Sequence, residues 1–169
     1  MKRLIRKKPP KAVPSAGSPM DAALHFLTHC ARTVREVERY LDDCQYGEVE
    51  VYETVERLKV LNLLNDREYA EEFVRTRLAT KPLSRAHLRE QLCLHEIGAE
   101  DIDAVLTEVD DEKELFNAGV VIEKYSRQFA DLPDEERYER VLKRILSRGY
   151  SFDTARAAME RSVAKEIGE

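Results

Sequence analysis

The sequence repeats one helical pattern three times at a nearly constant interval. Each copy consists of an alanine, two further residues and then two adjacent apolar residues, and the copies are residues 23–27, 70–74 and 118–122. The alanines are 47 and 48 residues apart, and each is followed one helical turn later by a large side chain that can pack over it. An interval of this length is typical of stacked helical repeats, in which each unit buries its apolar face against its neighbours.

Nine amphipathic segments follow one another from Met20 onward. Their apolar residues recur every three or four positions, as in helices. Only 6 Gly and 6 Pro among 169 residues argue against a sandwich or a barrel, which needs frequent turns. The predicted helices lie at about 20–31, 34–43, 48–62, 66–79, 100–109 and 112–129, and others begin near Ser84, Pro133 and Ser151. The predicted fold class is all-α: an elongated, curved array of three tandem three-helix repeats.

The predicted boundaries place repeat 1 at residues 20–64, repeat 2 at 65–110 and repeat 3 at 111–169. The second helix of each repeat supplies an apolar pair, and the pairs are Val37 and Leu41, Leu88 and Leu92, and Leu142 and Leu146. A stretch that contains a glycine leads into each third helix, and the glycines are Gly47, Gly98 and Gly149. Other predicted core positions are Leu24, Leu27, Ala31, Tyr138, Val141, Ile145 and Phe152. The alternative is a single irregular bundle whose similarities come from amphipathicity alone.

Residues 1–19 precede the helical pattern and differ from it in composition. They contain four prolines, and residues 1–11 contain six Lys or Arg and no acidic residue, which predicts a disordered basic arm. Six of the 28 basic residues thus lie in the arm, and the remaining 22 face 33 acidic residues, a net charge of −11. Because a body with this charge repels a nucleic acid duplex as a whole, any contact with nucleic acid is expected to be local or to go through a protein partner.

The compartment follows from segments that the sequence lacks and from its cysteines. No stretch approaches the roughly 20 apolar residues that span a bilayer, and the basic N-terminus is not followed by the apolar segment of a signal peptide. The three cysteines, Cys30, Cys44 and Cys93, are odd in number and widely spaced, as expected of reduced thiols rather than a disulfide framework. We therefore expect a cytoplasmic protein with no membrane contact.

The sequence contains no motif for catalysis. His25 and His29 lie one helical turn apart beside Cys30, but a third metal ligand at a suitable spacing is missing. The acidic run from Glu100 to Glu114 lacks the glycine turn of a calcium loop, and neither a phosphate-binding glycine loop nor a nucleophile motif occurs. We therefore expect a protein that is not an enzyme and that binds no metal and no cofactor.

Basic side chains are the candidate binding residues. Arginine pairs readily with carboxylates and phosphates, and residues 137–148 contain five basic residues and one acidic residue. The alternative is a solvated helix face with internal ion pairs, such as Glu71–Arg75 and Glu139–Lys143. The candidates for contact with a partner or with DNA are Arg75, Arg77, Arg85, Arg89, Lys143, Arg144 and Arg148, together with Lys2, Arg3, Arg6, Lys7 and Lys8 of the arm.

Several stretches, in order, resemble the RecX family. Residues 61–75, Leu-Asn-Leu-Leu-Asn-Asp-Arg-Glu-Tyr-Ala-Glu-Glu-Phe-Val-Arg, resemble its central signature, although Asn62 stands where the family usually has glycine. Residues 142–151, Leu-Lys-Arg-Ile-Leu-Ser-Arg-Gly-Tyr-Ser, resemble its C-terminal Leu-x-Arg-Arg-Gly-Phe-Ser. Residues 23–41 and 88–92 are similar to its first repeat and to the helix after its signature, so the resemblance covers about residues 20–160.

The resemblance implies a function as well as a fold. It implies a curved stack of three-helix repeats that binds RecA filaments on single-stranded DNA and modulates filament growth, ATP hydrolysis and recombination, with inhibition as the expected direction. Such a regulator acts in DNA repair and the SOS response, and we expect it to be a monomer. Two alternatives remain: a helical-repeat protein that contacts DNA directly through the arm and residues 137–148, and a scaffold for another protein partner.

Overall fold

The structure is a computed structural model, and it describes residues 17–167, with side chains up to residue 162. This part of the chain forms nine α-helices and no β-strand, which confirms the predicted all-α helical-repeat class. The helices are α1 (Pro19–Leu27), α2 (Val34–Asp43), α3 (Glu48–Val60), α4 (Asp66–Thr80), α5 (Arg85–Leu94), α6 (Ala99–Leu106), α7 (Asp111–Gln128), α8 (Asp134–Leu146) and α9 (Phe152–Ile167).

Each set of three consecutive helices encloses its own hydrophobic cluster. We call these sets the first triplet (α1–α3), the second triplet (α4–α6) and the third triplet (α7–α9). The repeated alanines, Ala23, Ala70 and Ala118, are fully buried, one in each cluster. The helices also divide into two compact units after Asp66, so that the first unit contains the first triplet and the second unit contains the other two. The exact repeat boundaries at residues 65 and 111 stay a prediction.

Side-chain caps begin several helices at the residues that the sequence indicates. The Thr33 hydroxyl accepts a hydrogen bond from the Glu36 N–H at the start of α2, and the Ser84 hydroxyl accepts one from the His87 N–H at the start of α5. Asp66 Oδ1, at the start of α4, accepts a hydrogen bond of 2.8 Å from the Val34 N–H. Asp66, the last residue of the first unit, thus satisfies one of the free backbone donors at the start of α2.

A residue in the left-handed region lies in the turn between the second and third helix of each triplet. These residues are Gln45, Glu96 and Gly149, with φ of 66°, 58° and 83°. A glycine lies in the segment before each third helix, as predicted, but Gly149 corresponds in position to Gln45 and Glu96 and not to Gly47 and Gly98. Those two glycines are N-caps of α3 and α6, a position that Ser151 takes before α9.

The buried residues of α8 are the predicted core positions Val141 and Ile145, not the predicted pair Leu142 and Leu146. Val141 and Ile145 are buried, and Ile145 is 0% exposed, whereas Leu142 is only partly buried and Leu146 is 40% exposed. The predicted apolar pair of the third repeat is therefore wrong. Both pairs are four residues apart, so the helical period alone does not distinguish them.

The ends of α1 and α3 also explain departures from the predicted pattern. α1 ends at Leu27, four residues earlier than predicted, and buries Phe26 while Leu24 is exposed. α3 ends before Asn62, whose φ is 53°, and the Leu63 N–H donates to the Leu58 carbonyl. Asparagine is among the few non-glycine residues that adopt this conformation readily, so Asn62 performs the role of the glycine usual in the family. The predicted core positions Tyr138 and Phe152 are also exposed, so these two predictions are wrong.

Tyr150 gives a testable consequence of the third cluster. Its hydroxyl is buried without a hydrogen-bond partner among the described residues, and burial, aided by the charge of Glu114, raises the pKa of Tyr150 above its usual value. An unsatisfied buried hydroxyl costs free energy, so we expect Tyr150→Phe to raise the free energy of unfolding by about 1 kcal/mol. Urea unfolding at pH 7 measures this change.

The same substitution should change the response to alkaline pH. Because the folded-state pKa of Tyr150 is raised, the unfolded state loses the phenol proton at a lower pH than the folded state does. The free energy of unfolding of the unsubstituted chain is therefore unaffected by the ionisation of Tyr150 below the unfolded-state pKa of about 10 and falls as the pH rises above it. The stability advantage of Tyr150→Phe should therefore grow between pH 10 and pH 11. A constant difference across this range would contradict the assignment.

Candidate interaction surface

Some of the predicted basic residues of the second unit are buried or hydrogen-bonded inside the protein, and others are exposed. Arg148 is the most buried of them. Its side chain is only 7% exposed. Nη1 donates to the Pro82 carbonyl at 3.1 Å, and Nη2 donates to the Tyr125 hydroxyl at 3.1 Å. The Arg148 carbonyl also accepts a hydrogen bond of 3.1 Å from the Ser84 N–H. Arg148 therefore joins the third triplet to the segment before α5, where a partner does not reach it.

Arg85, the residue after Ser84, also makes its contacts inside the second unit. Its Nη1 donates to the Val109 carbonyl at 3.1 Å, and its Nη2 lies 2.7 Å from Asp111 Oδ1 and 3.5 Å from Glu114 Oε2. The Arg85 N–H also donates to Glu114 Oε1 at 3.0 Å. These contacts join the start of α5 to the start of α7 within the second unit.

Three further candidates lie on α4 and α5. Arg75 is exposed and pairs with Glu72, whereas its predicted partner Glu71 bonds to Arg67 at 2.8 Å. Arg89 pairs with Asp103 of α6. Exposed pairs of this kind contribute little to stability, so a partner can replace them. The Arg77 guanidinium lies 5.0 Å from the centre of the Phe73 ring, and its Nε is buried without a hydrogen-bond partner in the described part of the chain.

Lys143 and Arg144 on α8 differ from the other exposed candidates because no ion pair holds them in the described part of the chain. Both are exposed, and neither has a carboxylate within 4 Å among the residues that the structure describes. The predicted pair between Glu139 and Lys143 is therefore not formed. Arg144 lies 5.5 Å from the centre of the Tyr125 ring on α7, and Lys124 lies 5.9 Å from the same centre. We call Lys124, Lys143 and Arg144 the α8 basic surface.

The electrostatics of Tyr125 reflect the positive charge around it. The hydrogen bond from Arg148 is the main cause that lowers the pKa of Tyr125, and the charges of Arg148, Lys124 and Arg144 act in the same direction, while burial opposes them. In a chain with a net charge of −5, this is a local positive region. Tyr138 and Leu146 are exposed apolar residues on the same helix, α8. Such a mixture of apolar and basic groups suits contact with an anionic surface.

The sequence did not single out Lys124 or Tyr125 as parts of this surface. They lie on α7, about 20 residues before Arg144 along the chain, and only the packing of α7 against α8 brings them together. No local sequence motif predicts that these residues lie close together. The candidates of the predicted arm, Lys2, Arg3, Arg6, Lys7 and Lys8, lie outside the described residues.

The other features of the described region offer no competing site. A shallow cleft of about 570 Å³ lies between the starts of α5, α7 and α9, but its charged residues Arg85, Asp111 and Glu114 already pair with one another. The rings of His25 and His29 meet edge to face at 5.7 Å, and no group of three metal ligands occurs in residues 17–162. Among the helices described, none combines the length and the apolar character that crossing a membrane requires.

Two family models match consecutive parts of this chain. The model described as RecX, first three-helix domain, matches residues 20–58, and the model described as RecX, second three-helix domain, matches residues 65–106. These matches fall on the first and second triplets, in the same order as the numbered domains of the family.

Relatives that match most of this chain carry the same family name. The regulatory protein RecX of Bacillus pumilus is 26% identical over 140 residues, which are 83% of this chain and 53% of that protein. The regulatory protein RecX of Streptococcus sanguinis is 27% identical over 150 residues, 88% of this chain and 57% of that protein. The chain thus spans about half the length of the curated relatives it matches.

Solved structures share the fold. The crystal structure of RecX from Lactobacillus salivarius superposes with a TM-score of 0.76 at 23% identity, covering 86% of this chain and 95% of that one. A crystal structure of regulatory protein RecX gives a TM-score of 0.70 at 24% identity and covers 84% of this chain and 70% of that one. At these identities the likeness is one of fold.

Proposed function

The chain belongs to the RecX family, and from that premise we propose that it is a non-enzymatic regulator of RecA. It binds RecA filaments on single-stranded DNA and inhibits filament growth, ATP hydrolysis and recombination. The observation that carries the proposal is the match of two consecutive RecX domains to two consecutive triplets. Action as a monomer in the cytoplasm, without a cofactor, remains part of the prediction.

The α8 basic surface supplies the contact with the filament in this proposal. Lys143 and Arg144 have no internal carboxylate partner in the described region, so they can meet an anionic group without first breaking an ion pair. Arg75 and Arg77 on α4 are a second region of contact in the same unit. Several modest contacts on one chain add up to a higher affinity than each has alone.

A comparison of two DNA probes tests the proposal. Binding of the full chain is measured by fluorescence anisotropy on an oligo-dT strand coated with RecA and on the same strand without RecA. We expect tighter binding to the coated strand and a slower RecA ATPase when the chain is added. Equal affinity for both strands would argue against RecA as the partner.

Direct binding to nucleic acid is the second candidate, because residues 1–11 contain six Lys or Arg. If the arm binds DNA, deletion of residues 1–11 should abolish binding to bare oligo-dT and flatten its dependence on salt. If RecA is the partner, the deletion should leave most of the affinity for the coated strand.

Charge reversal on α8 is the sharpest mutational test of the surface. We expect Lys143→Glu with Arg144→Glu to weaken binding to the RecA-coated strand by roughly tenfold or more, since two favourable charge contacts become repulsive. The matched control is Arg35→Glu with Lys59→Glu, which changes the net charge equally at exposed ion pairs of the first unit. An equal loss of affinity in both variants would mean that net charge, and not this surface, governs binding.

A further inference from the structure

The turn between α8 and α9 is hydrogen-bonded to the segment between α4 and α5 through the side chain and the backbone of Arg148. One end of the guanidinium donates to the Pro82 carbonyl of the second triplet's connecting segment, and the other donates to the Tyr125 hydroxyl of the third triplet. The Arg148 carbonyl accepts from the Ser84 N–H. A planar guanidinium donates from two separate nitrogens at a fixed spacing, whereas the donors of an ammonium group all lie on one nitrogen.

The neighbouring residues hold the same segment from other directions. Gly149 lies so close that a Cβ atom at this position would be 2.6 Å from Ser84 Oγ and 2.7 Å from His87 Cβ. Arg85, one residue after Ser84, is tied to Asp111 and Glu114 at the start of α7. Rotation of the third triplet against the second would break these contacts together.

The buried charge of Arg148 has no carboxylate partner within 4 Å in the part of the chain that the structure describes. It is balanced by two oxygen acceptors and by the face of the Tyr125 ring, 5.6 Å from the guanidinium carbon. A buried cation is tolerated only while its hydrogen bonds are made. The charged group therefore strongly favours the one arrangement of the two triplets in which both acceptors are present.

We infer that Arg148 is a positioning residue, which fixes the second and third triplets as one rigid body. The consequence for binding rests on the proposed function: the cations on α4 and those of the α8 basic surface are presented to the RecA filament at a fixed separation. Pre-organisation of two contact regions raises affinity because the ordering is completed before binding. Arg148 does this without touching the partner.

Distances between spin labels test the rigid coupling without RecA. One label is attached to Cys93, which is exposed on α5, and the other to position 160 of the Glu160→Cys variant on α9, in a Cys30→Ser background. Cys44 is buried and stays unlabelled. We expect one narrow distance distribution for the chain with Arg148, and a broadened or shifted one for Arg148→Met. An unchanged distribution would overturn the inference.

Arg144→Met is the matched control for the coupling. Arg144 lies over the same Tyr125 ring but makes no described contact with residues 82–85. Its removal should leave the distance distribution narrow, and equal broadening would overturn the specific role of Arg148. Arg148→Lys and Tyr125→Phe each remove part of the hydrogen bonding and should broaden the distribution to an intermediate degree, so the inference remains testable if Arg148→Met does not fold.

Binding to RecA-coated oligo-dT tests the consequence. We expect Arg148→Met to weaken binding by about tenfold, with Arg35→Gln, at an exposed ion pair of the first unit, as the unaffected control. A broadened distribution with unchanged affinity would overturn the positioning role in binding. If the unsubstituted chain does not bind RecA filaments, the proposed function fails, while the distance measurement still decides whether Arg148 couples the triplets.

Discussion

Replacing Gly149 with alanine is expected to lower the free energy of unfolding of the second unit by about 3 kcal/mol. The φ of Gly149 is 83°, a conformation that costs an L-residue roughly 1–2 kcal/mol. The added Cβ also meets Ser84 Oγ and His87 Cβ at less than 3 Å. Moving Ser84 away weakens the N-cap of α5, which contributes about 1 kcal/mol.

Urea unfolding of the full chain, followed by circular dichroism, measures this effect, and hydrogen exchange assigns it to the second unit. The matched control is Gln45→Gly, at the equivalent turn of the first triplet, where φ is 66°. Relief of the left-handed strain there is offset by the greater flexibility of glycine, so we expect a change below about 1 kcal/mol. If Gly149→Ala were as mild as this control, the close approach at the α8–α9 turn would be wrong.

The fold class was predictable because it depends on local patterns that repeat. The alanine-led motif marked the first helix of each triplet, and the caps Thr33 and Ser84 marked the starts of α2 and α5 where the structure has them. Each signal lies within four residues along the chain, so helical geometry alone connects the residues to their role. Asn62 departs from the glycine usual in the family, and its positive φ shows why asparagine suffices there.

The candidate site was predictable only in part because it depends on contacts between distant residues. Arg148 and Lys143 looked alike in the sequence, as basic residues in a locally positive segment. The packing of the α8–α9 turn against residues 82–85 buries Arg148, while Lys143 on the outer face of α8 stays exposed. Charge patterns indicate that a region is basic, but burial decides which of its side chains a partner can reach.

The register of α8 gives the second prediction of large effect, because it separates two residues that the sequence treats as equivalent. Ile145→Ala is expected to lower the free energy of unfolding by about 2–5 kcal/mol, the range for large-to-alanine substitutions in a core. Ile145 is fully buried in the third cluster, four residues before the turn residue Gly149. Leu146→Ala should lower it by less, about 1 kcal/mol, since Leu146 is 40% exposed and the substitution removes less buried apolar area.

Urea unfolding of the two variants under identical conditions measures the difference. Both substitutions place alanine, the best helix former, near the end of the same helix, so helix propensity contributes similarly to each and burial accounts for the contrast. A larger loss for Leu146→Ala than for Ile145→Ala would restore the predicted pair Leu142 and Leu146. That result would also mean that α8 is rotated about its axis by the angle of one residue. In that orientation Arg144 would lie away from Tyr125, and the α8 basic surface would not exist as described.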